Sequence, residues 1–392
     1  MSTGRIKLYL WLICAFTANI LVYTVIKLSK SSSAEILNGK KGVTIPQKFW
    51  KYENTEKMAL WNFLQFHYEK SLNPVFNATK RKYDNSSFPE TFQKLVFSTK
   101  AKQISSFPDQ IKEFIWSMHH RNFTLVINQE HVCDEDLVLL LAVKSLIPNF
   151  DRRQAIRQTW GQAGKVGNVT VKVVFLLGSQ DHTRGDPNLF DLLKFEERHF
   201  GDIIMWHFKD TFFNLTIKNL LFFQWLEDYC PNVHYIFQGD DDIFVNTVAL
   251  AEYISTKDIS TSQNMFVGQV ISDASPVRDR NLKYYIPEEF YQGAYPLYAG
   301  GGGILYSASL ARSLNAVSKH VVVFPIDDVY IGMCLHKLGI IPENHEGFRT
   351  FDIREEDRHD ICIHKTLILV HQRSSQEVIK LWRGLHDPSL KC

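Results

Sequence analysis

Residues 234–239 read HYIFQG, and three aspartates follow without a gap: Asp240, Asp241 and Asp242. An apolar run closed by glycine has the character of a buried strand, so the acids are carried to its tip. The chain continues as IFVN at 243–246, which pinches the charges between two buried segments. A strand with Tyr235, Ile236 and Phe237 in succession has apolar side chains on both faces and needs cover on both, as in α/β folds. The neighbouring sequence supplies such a frame. Apolar or β-branched runs recur at 123–127 (FTLVI), 137–146 (LVLLLAVKSL), 171–178 (VKVVFLLG) and 202–206 (DIIMW), with helical patterns over 152–160, 188–199 and 215–229. Strands separated by helices of that length build βαβ units and a mostly parallel sheet. In such sheets ligands gather beyond the carboxyl ends of the strands.

Two carboxylates one residue apart, delivered into that crevice, suit a hard divalent cation that bridges a diphosphate. An acidic turn fits the same three residues. Gly300, Gly301, Gly302 and Gly303 lie between aromatic and apolar flanks. Such a run makes sense where the backbone must pass close to a ligand. Asp327 and Asp328 open a helical stretch within 324–339. One of them suits a helix cap, and the other suits a general base that takes a proton from an attacking hydroxyl. His371 closes a further apolar strand, where it fits a core residue, a loop residue or a metal ligand. Arg153, Arg157 and Lys218 have the chemistry of phosphate partners and equally that of helix-surface charges. The chain contains no H-E-x-x-H, G-x-S-x-G or G-x-x-x-x-G-K-[ST], which removes zincins, α/β-hydrolases and P-loop enzymes from consideration. The paired carboxylates of a glycoside hydrolase remain open by residue type.

The N-terminus bears on topology. Residues 8–26 carry no charge, and a helix of that length spans roughly 28 Å, close to a bilayer's hydrocarbon thickness. We read it as a retained anchor over 8–28, after a cytosolic tail of 1–7, rather than a cleaved signal peptide. A Ser/Lys/Gly-rich stem follows over 29–47, then a helical stem-proximal region over 48–136, in which Met58, Trp61, Leu64 and Tyr68 form one stripe, and a catalytic domain over 137–392. Five N-x-S/T sequons, at Asn77, Asn85, Asn122, Asn168 and Asn214, all lie downstream of the span, which suits a lumenal body. The net charge of +2 is unlike that of a nucleic-acid binder. With Cys14 inside the apolar run, Cys133, Cys230, Cys334, Cys362 and Cys392 remain. In an oxidising compartment five thiols predict two bridges and one spare.

The segments RRQAIRQTWG (152–161), VFLLG (174–178), DTFFNLTIK (210–218), GDDDIFVN (239–246), KYYIP (283–287), YAGGGGILYS (298–307), PIDDVYIGMC (325–334) and EGFRTFDI (346–353) together resemble the β-1,3-glycosyltransferase family. The likeness runs from about residue 137 to the end and is greatest to its N-acetyllactosaminide β-1,3-N-acetylglucosaminyltransferase branch. It implies a GT-A type fold, α/β with a mostly parallel mixed sheet flanked by helices, preceded by a transmembrane anchor and stem in the Golgi membrane. It implies Mn²⁺, or Mg²⁺, on Asp240, Asp242 and His371, and UDP-GlcNAc as donor, with Arg157, Lys218, Asp240, Asp241, Gly301 and Gly302 near the nucleotide. Asp328 becomes the base that deprotonates a galactose 3-hydroxyl, and Asp327, Tyr284 and Tyr285 lie on the acceptor side. The same resemblance implies a galactose-terminated glycan as acceptor, bridges Cys133–Cys230 and Cys334–Cys362, and oligomers with itself or with related transferases. UDP-galactose is the alternative donor, and a non-catalytic glycan-binding protein the more distant one.

Overall fold

The computed structural model describes residues 58–72, 104–118, 120–134, 136–180 and 188–392. The anchor, the stem, Cys14, Asn77 and Asn85 lie outside these residues. Among the described residues no helix is long and apolar enough to cross a membrane. The described residues fall within one compact unit.

The strands are β1 (Leu125–Ile127), β2 (Leu139–Lys144), β3 (Gly164–Val166), β4 (Val169–Ser179), β5 (Ile203–Lys209), β6 (Tyr235–Asp240), β7 (Ile243–Val245), β8 (Phe266–Gly268), β9 (Val270–Ile271), β10 (Tyr298–Ala299), β11 (Gly303–Ser307), β12 (Glu343–Asn344), β13 (Phe348–Arg349) and β14 (Leu369–His371). The helices are α1 (Leu60–Leu72), α2 (Asp109–Ser117), α3 (Phe150–Arg157), α4 (Leu189–Phe200), α5 (Leu215–Tyr229), α6 (Thr247–Ser255), α7 (Ala308–Ser318), α8 (Asp327–Leu338), α9 (Ile361–Lys365) and α10 (Ser375–Leu385). The main sheet runs β1-β5-β4-β2-β6-β11-β8-β12, with β3 on β4. Its centre, β5-β4-β2-β6, is parallel. The expectation of a mostly parallel sheet holds for that centre and for the edge pair β8-β12. β11 is antiparallel to both β6 and β8, and β1 and β3 are antiparallel to their neighbours. The three parallel strands before β6 lie to one side of it, in the order third, second, first. Chain order therefore reverses between β2 and β6, and a crevice opens at their carboxyl ends.

The alternation of side chains along β2 divides the core. Leu139, Leu141 and Val143 pack with Ile156, Trp160 and Phe237 on one face, and Leu140 and Ala142 pack with Phe222, Ile236 and Tyr306 on the other. Lys144 follows Ala142 onto this second face, which carries α5, α7 and α8. The α1 stripe docks there: Met58, Trp61 and Leu64 are buried, Trp61 Nε1 donates to the Val322 carbonyl at 3.0 Å, and the Tyr68 hydroxyl donates to the Lys319 carbonyl.

Among the described residues two disulfides form, as five thiols predict. Cys133–Cys230 is one of them. Cys362 bonds Cys392, however, and Cys334 is buried and free, so the Cys334–Cys362 pairing is corrected. Cys334 sits inside α8 in the apolar core, whereas Cys362, on the short surface helix α9, lies beside the chain's last residue. Asn122 and Asn168 are exposed. Asn214 is 6% exposed and its Nδ2 donates to the Lys209 carbonyl at 2.8 Å.

Candidate active site

β6 ends where β2 ends, and their register places Asp240 opposite Lys144. β6 ends at Asp240, and in the turn that follows Asp242 faces the same side as Asp240 while Asp241 faces Ser145 and Arg152. Asp241 is held at the base of the crevice by Ser145 Oγ (2.6 Å), Asn149 Nδ2 (2.8 Å) and Arg152 Nη1 (2.7 Å). β14 pairs antiparallel with β7 and aligns His371 with Ile243, one residue past the acids. His371 Nε2 lies 3.1 Å from Asp242 Oδ1 and 3.7 Å from Asp240 Oδ2. Its Nδ1 faces the Thr350 carbonyl at 2.9 Å, so a proton sits there, and Nε2, which donates to Asp242 Oδ1, would offer its lone pair to a metal ion that displaces its proton. Ligand atoms of Asp240, Asp242 and His371 lie within 4.8 Å of one another, the oxygen-and-imidazole set of a divalent-cation site.

Electrostatics support that grouping. Burial raises the pKa of Asp240; Lys144 opposes this, while the charges of Asp327 and Asp242 add to it. Burial pushes Asp242 in the same direction, but the His371 hydrogen bond and the positive charges of His371 and Arg152 prevail and hold it low. His371 shifts reciprocally: burial disfavours its cation, and Asp242 outweighs that and raises its pKa.

Across the crevice, α8 begins with Asp327 and Asp328. The cap position itself is Ile326, which offers no side-chain acceptor, so neither aspartate caps the helix. Both sit in its first turn, where a negative charge is favoured. Asp328 Oδ1 accepts from its neighbour's amide, Val329 N, at 2.7 Å, and Oδ2 accepts from Gly301 N at 3.3 Å. Burial, followed by the charge of Asp327, pushes its carboxyl up to about 7. A carboxylate poised there is suited to proton abstraction near neutral pH. Lys144 Nζ bridges the two halves, 3.0 Å from both Asp240 Oδ1 and Asp327 Oδ2, and donates to the Gly301 carbonyl at 3.3 Å. Burial works against its charge, yet Asp240 and Asp327 hold it protonated far above the usual lysine range.

The glycine run serves packing as well as access. A Cβ on Gly300 would meet Thr350 at 2.3 Å, one on Gly302 would meet Thr350 Oγ1 at 2.8 Å and His371 Nδ1 at 3.1 Å, and one on Gly303 would meet Leu369 at 2.1 Å. Gly301 alone of the four has room, its nearest atom being Asp328 Cβ at 3.5 Å.

These groups line a cleft of about 700 Å³ together with Asp210, Phe212, Lys218, Tyr284, Tyr298 and Phe351. Lys218 reaches it from below: Nζ is 2.8 Å from Asp210 Oδ2, both side chains 1% exposed, and donates to the Ser145 carbonyl at 2.9 Å. Asp210 Oδ1 is buried without a hydrogen-bond partner. Two expected residues lie elsewhere. Arg157 is bound by Glu196 and Asp202 at 2.7 Å each and stacks on Phe175 and Phe200, so its charge is spent within the helix layer. Tyr285 is not among the residues that line the cleft, and its ring faces Arg280 instead. Arg153 is fully buried against Glu196. The basic residues that do face the acids are Lys144 and Arg152. Lys144 was readable as the charge that ends an otherwise apolar strand; nothing in the sequence set Arg152 apart from Arg153.

Comparison with known proteins fits this geometry. The chain is 45% identical to N-acetyllactosaminide beta-1,3-N-acetylglucosaminyltransferase 2 of Mus musculus over 402 residues and 44% identical to that of Homo sapiens over 400, in each case across 100% of both chains. It is 42% identical over 289 residues to UDP-GlcNAc:betaGal beta-1,3-N-acetylglucosaminyltransferase 7 of Rattus norvegicus, covering 72% of each chain. The family model described as Galactosyltransferase matches residues 151–346, a span that begins in α3 and takes in Asp240, Asp242 and Asp328. The chain therefore belongs to the galactosyltransferase family.

Proposed function

We propose that the protein is an inverting β-1,3-N-acetylglucosaminyltransferase that moves N-acetylglucosamine from UDP-GlcNAc to the 3-hydroxyl of a terminal β-galactose on lactosamine-type glycans. One observation carries the reading: Asp240, Asp242 and His371 converge on one side of the crevice, and the raised carboxyl of Asp328 stands on the other, with Lys144 between them. The names of the full-length relatives support the donor and the acceptor. A GT-A type fold, Mn²⁺ as the ion, and a type II Golgi protein with its catalytic domain in the lumen belong to the same reading.

A divalent cation held by Asp240, Asp242 and His371 would screen the charge that collects on the departing diphosphate. Asp328 takes the proton of the acceptor hydroxyl as its oxygen attacks the anomeric carbon. The sugar–phosphate bond breaks on the opposite face and its electron pair leaves with UDP, so the configuration inverts. Gly301 N and Val329 N hold the Asp328 carboxylate in place. Asp210 Oδ1, an acceptor that lacks a donor, suits a hydroxyl or imide N–H of the nucleotide.

UDP-galactose is the second reading, favoured by the description of the matching family model. A panel of UDP-sugars with N-acetyllactosamine as acceptor decides between them. Transfer from UDP-GlcNAc at least tenfold faster than from UDP-galactose supports the proposal, and the reverse order overturns it.

A further inference from the structure

Behind the cleft runs a chain of buried polar side chains that the transfer reaction leaves unused. Tyr306 on β11 is 0% exposed, Gln238 on β6 3%, Asn219 on α5 5% and Asp327 7%. The Tyr306 hydroxyl donates to Gln238 Oε1 at 2.8 Å, Gln238 Nε2 donates to Asn219 Oδ1 at 2.8 Å, and Asn219 Nδ2 donates to Asp327 Oδ2 at 3.3 Å. Lys144 Nζ donates to the same oxygen at 3.0 Å. The chain has one sense. Its last member is a carboxylate, which accepts only, so Asn219 must present its nitrogen to Asp327 and its oxygen to Gln238, and Gln238 must present its oxygen to Tyr306.

Buried polar groups of this kind are often replaceable by apolar side chains of similar volume without loss of stability. The effect of this chain falls on Asp327. Oδ2 is fixed by two donors, and Oδ1 stays free of hydrogen bonds among the described residues, on the side of Gly301, where a Cβ would lie 3.8 Å from it. That oxygen opens on the cleft beside Asp328.

We propose that Tyr306, Gln238 and Asn219 are positioning residues that orient Asp327, so that its free oxygen receives a hydroxyl of the acceptor sugar and presents the neighbouring hydroxyl to Asp328. The proposal rests on the functional reading above. Loss of the tyrosine hydroxyl leaves Gln238 Oε1 without its donor, so the amide that seats Asn219 is no longer held, and Asn219 in turn holds Asp327 Oδ2 less firmly. The acceptor side loses its alignment, and the donor side, held by the other half of the crevice, does not.

The test is steady-state kinetics with UDP-GlcNAc and N-acetyllactosamine on the wild type, Tyr306→Phe, Gln238→Leu and the double variant, with thermal midpoints measured alongside. Wild-type turnover is read first: its absence sinks the functional reading and this proposal with it. Given turnover, Tyr306→Phe should lower kcat/KM for the acceptor about 5–20-fold, the effect of roughly one to two kcal/mol of misalignment, with donor KM within twofold. The double variant should be no worse than Gln238→Leu alone, because both break one chain. Wild-type acceptor kinetics in Tyr306→Phe overturn the proposal. So do losses that add in the double variant, or donor and acceptor constants that fall together with the thermal midpoint, which mark a packing role.

Discussion

Replacement of Asp328 by asparagine separates the chemistry of the site from its stability. The side chain keeps its shape but cannot take a proton, and a positioned general base contributes typically 10²–10⁴-fold, so kcat should fall by that factor while UDP still binds. Stability should move the other way. The carboxyl is pushed from 3.8 to about 7 by burial and by Asp327. At about 1.4 kcal/mol per pKa unit, ionised Asp328 costs the fold up to ~4 kcal/mol at pH 8, and roughly half that once water in the cleft screens it. Asparagine removes this cost but gives up one of the two amide donors that Asp328 accepts from, about 1 kcal/mol. The net gain at pH 8 is about 1 kcal/mol, a rise of a few degrees in thermal midpoint. Because the folded pKa lies above the unfolded one, wild-type stability from this group is complete in acid and is lost as pH rises through about 7. The advantage of the variant should therefore vanish between pH 8 and pH 5.5. Scanning fluorimetry across that range, beside turnover assays, reads both effects. A variant that retains more than a tenth of wild-type kcat, or a stability difference independent of pH, refutes the assignment of a raised base.

Other perturbations follow from the same geometry. Wild-type kcat/KM should fall about tenfold per pH unit below about 7 as Asp328 takes up a proton, and a flat acid limb down to pH 5 would contradict this. Lys218→Ala leaves the buried Asp210 carboxylate unpaired and should cost about 3–5 kcal/mol, seen as a loss of several degrees in thermal midpoint; a variant as stable as wild type would show that the pair is not integral to the fold. A chain begun at Lys48 has five cysteines and should titrate one thiol when denatured, that of Cys334. Three or more would show that a bridge is absent.

The sequence made the site's acids legible and left much of their support hidden. Asp240 and Asp242 stand out because an apolar strand carries them between two buried segments, although an acidic turn fits the same residues. The parallel centre was readable from strands and helices of ordinary length. β8, β11 and β12, two to five residues each, carry too little periodicity, and β11 begins inside the glycine run, at Gly303. Residue type alone did not separate Arg152 from Arg153 and Arg157. All three lie on α3 or its first turn, and only the direction in which each faces decides that Arg152 meets Asp241 while the others are absorbed by Glu196 and Asp202. The second bridge failed for a similar reason: spacing says nothing about which of Cys334 and Cys392 the fold brings to Cys362.

Asp240, Asp242 and His371 owe their proposed role to a bound ion, and one assay reaches that claim directly: the product formed from UDP-GlcNAc and N-acetyllactosamine, with its linkage determined by NMR, before chelation, after chelation, and after Mn²⁺ is restored. The account predicts a β-1,3-linked N-acetylglucosamine on galactose, formation of which stops with chelator and resumes with Mn²⁺. Undiminished turnover in chelator, or an α-linked product, would contradict it.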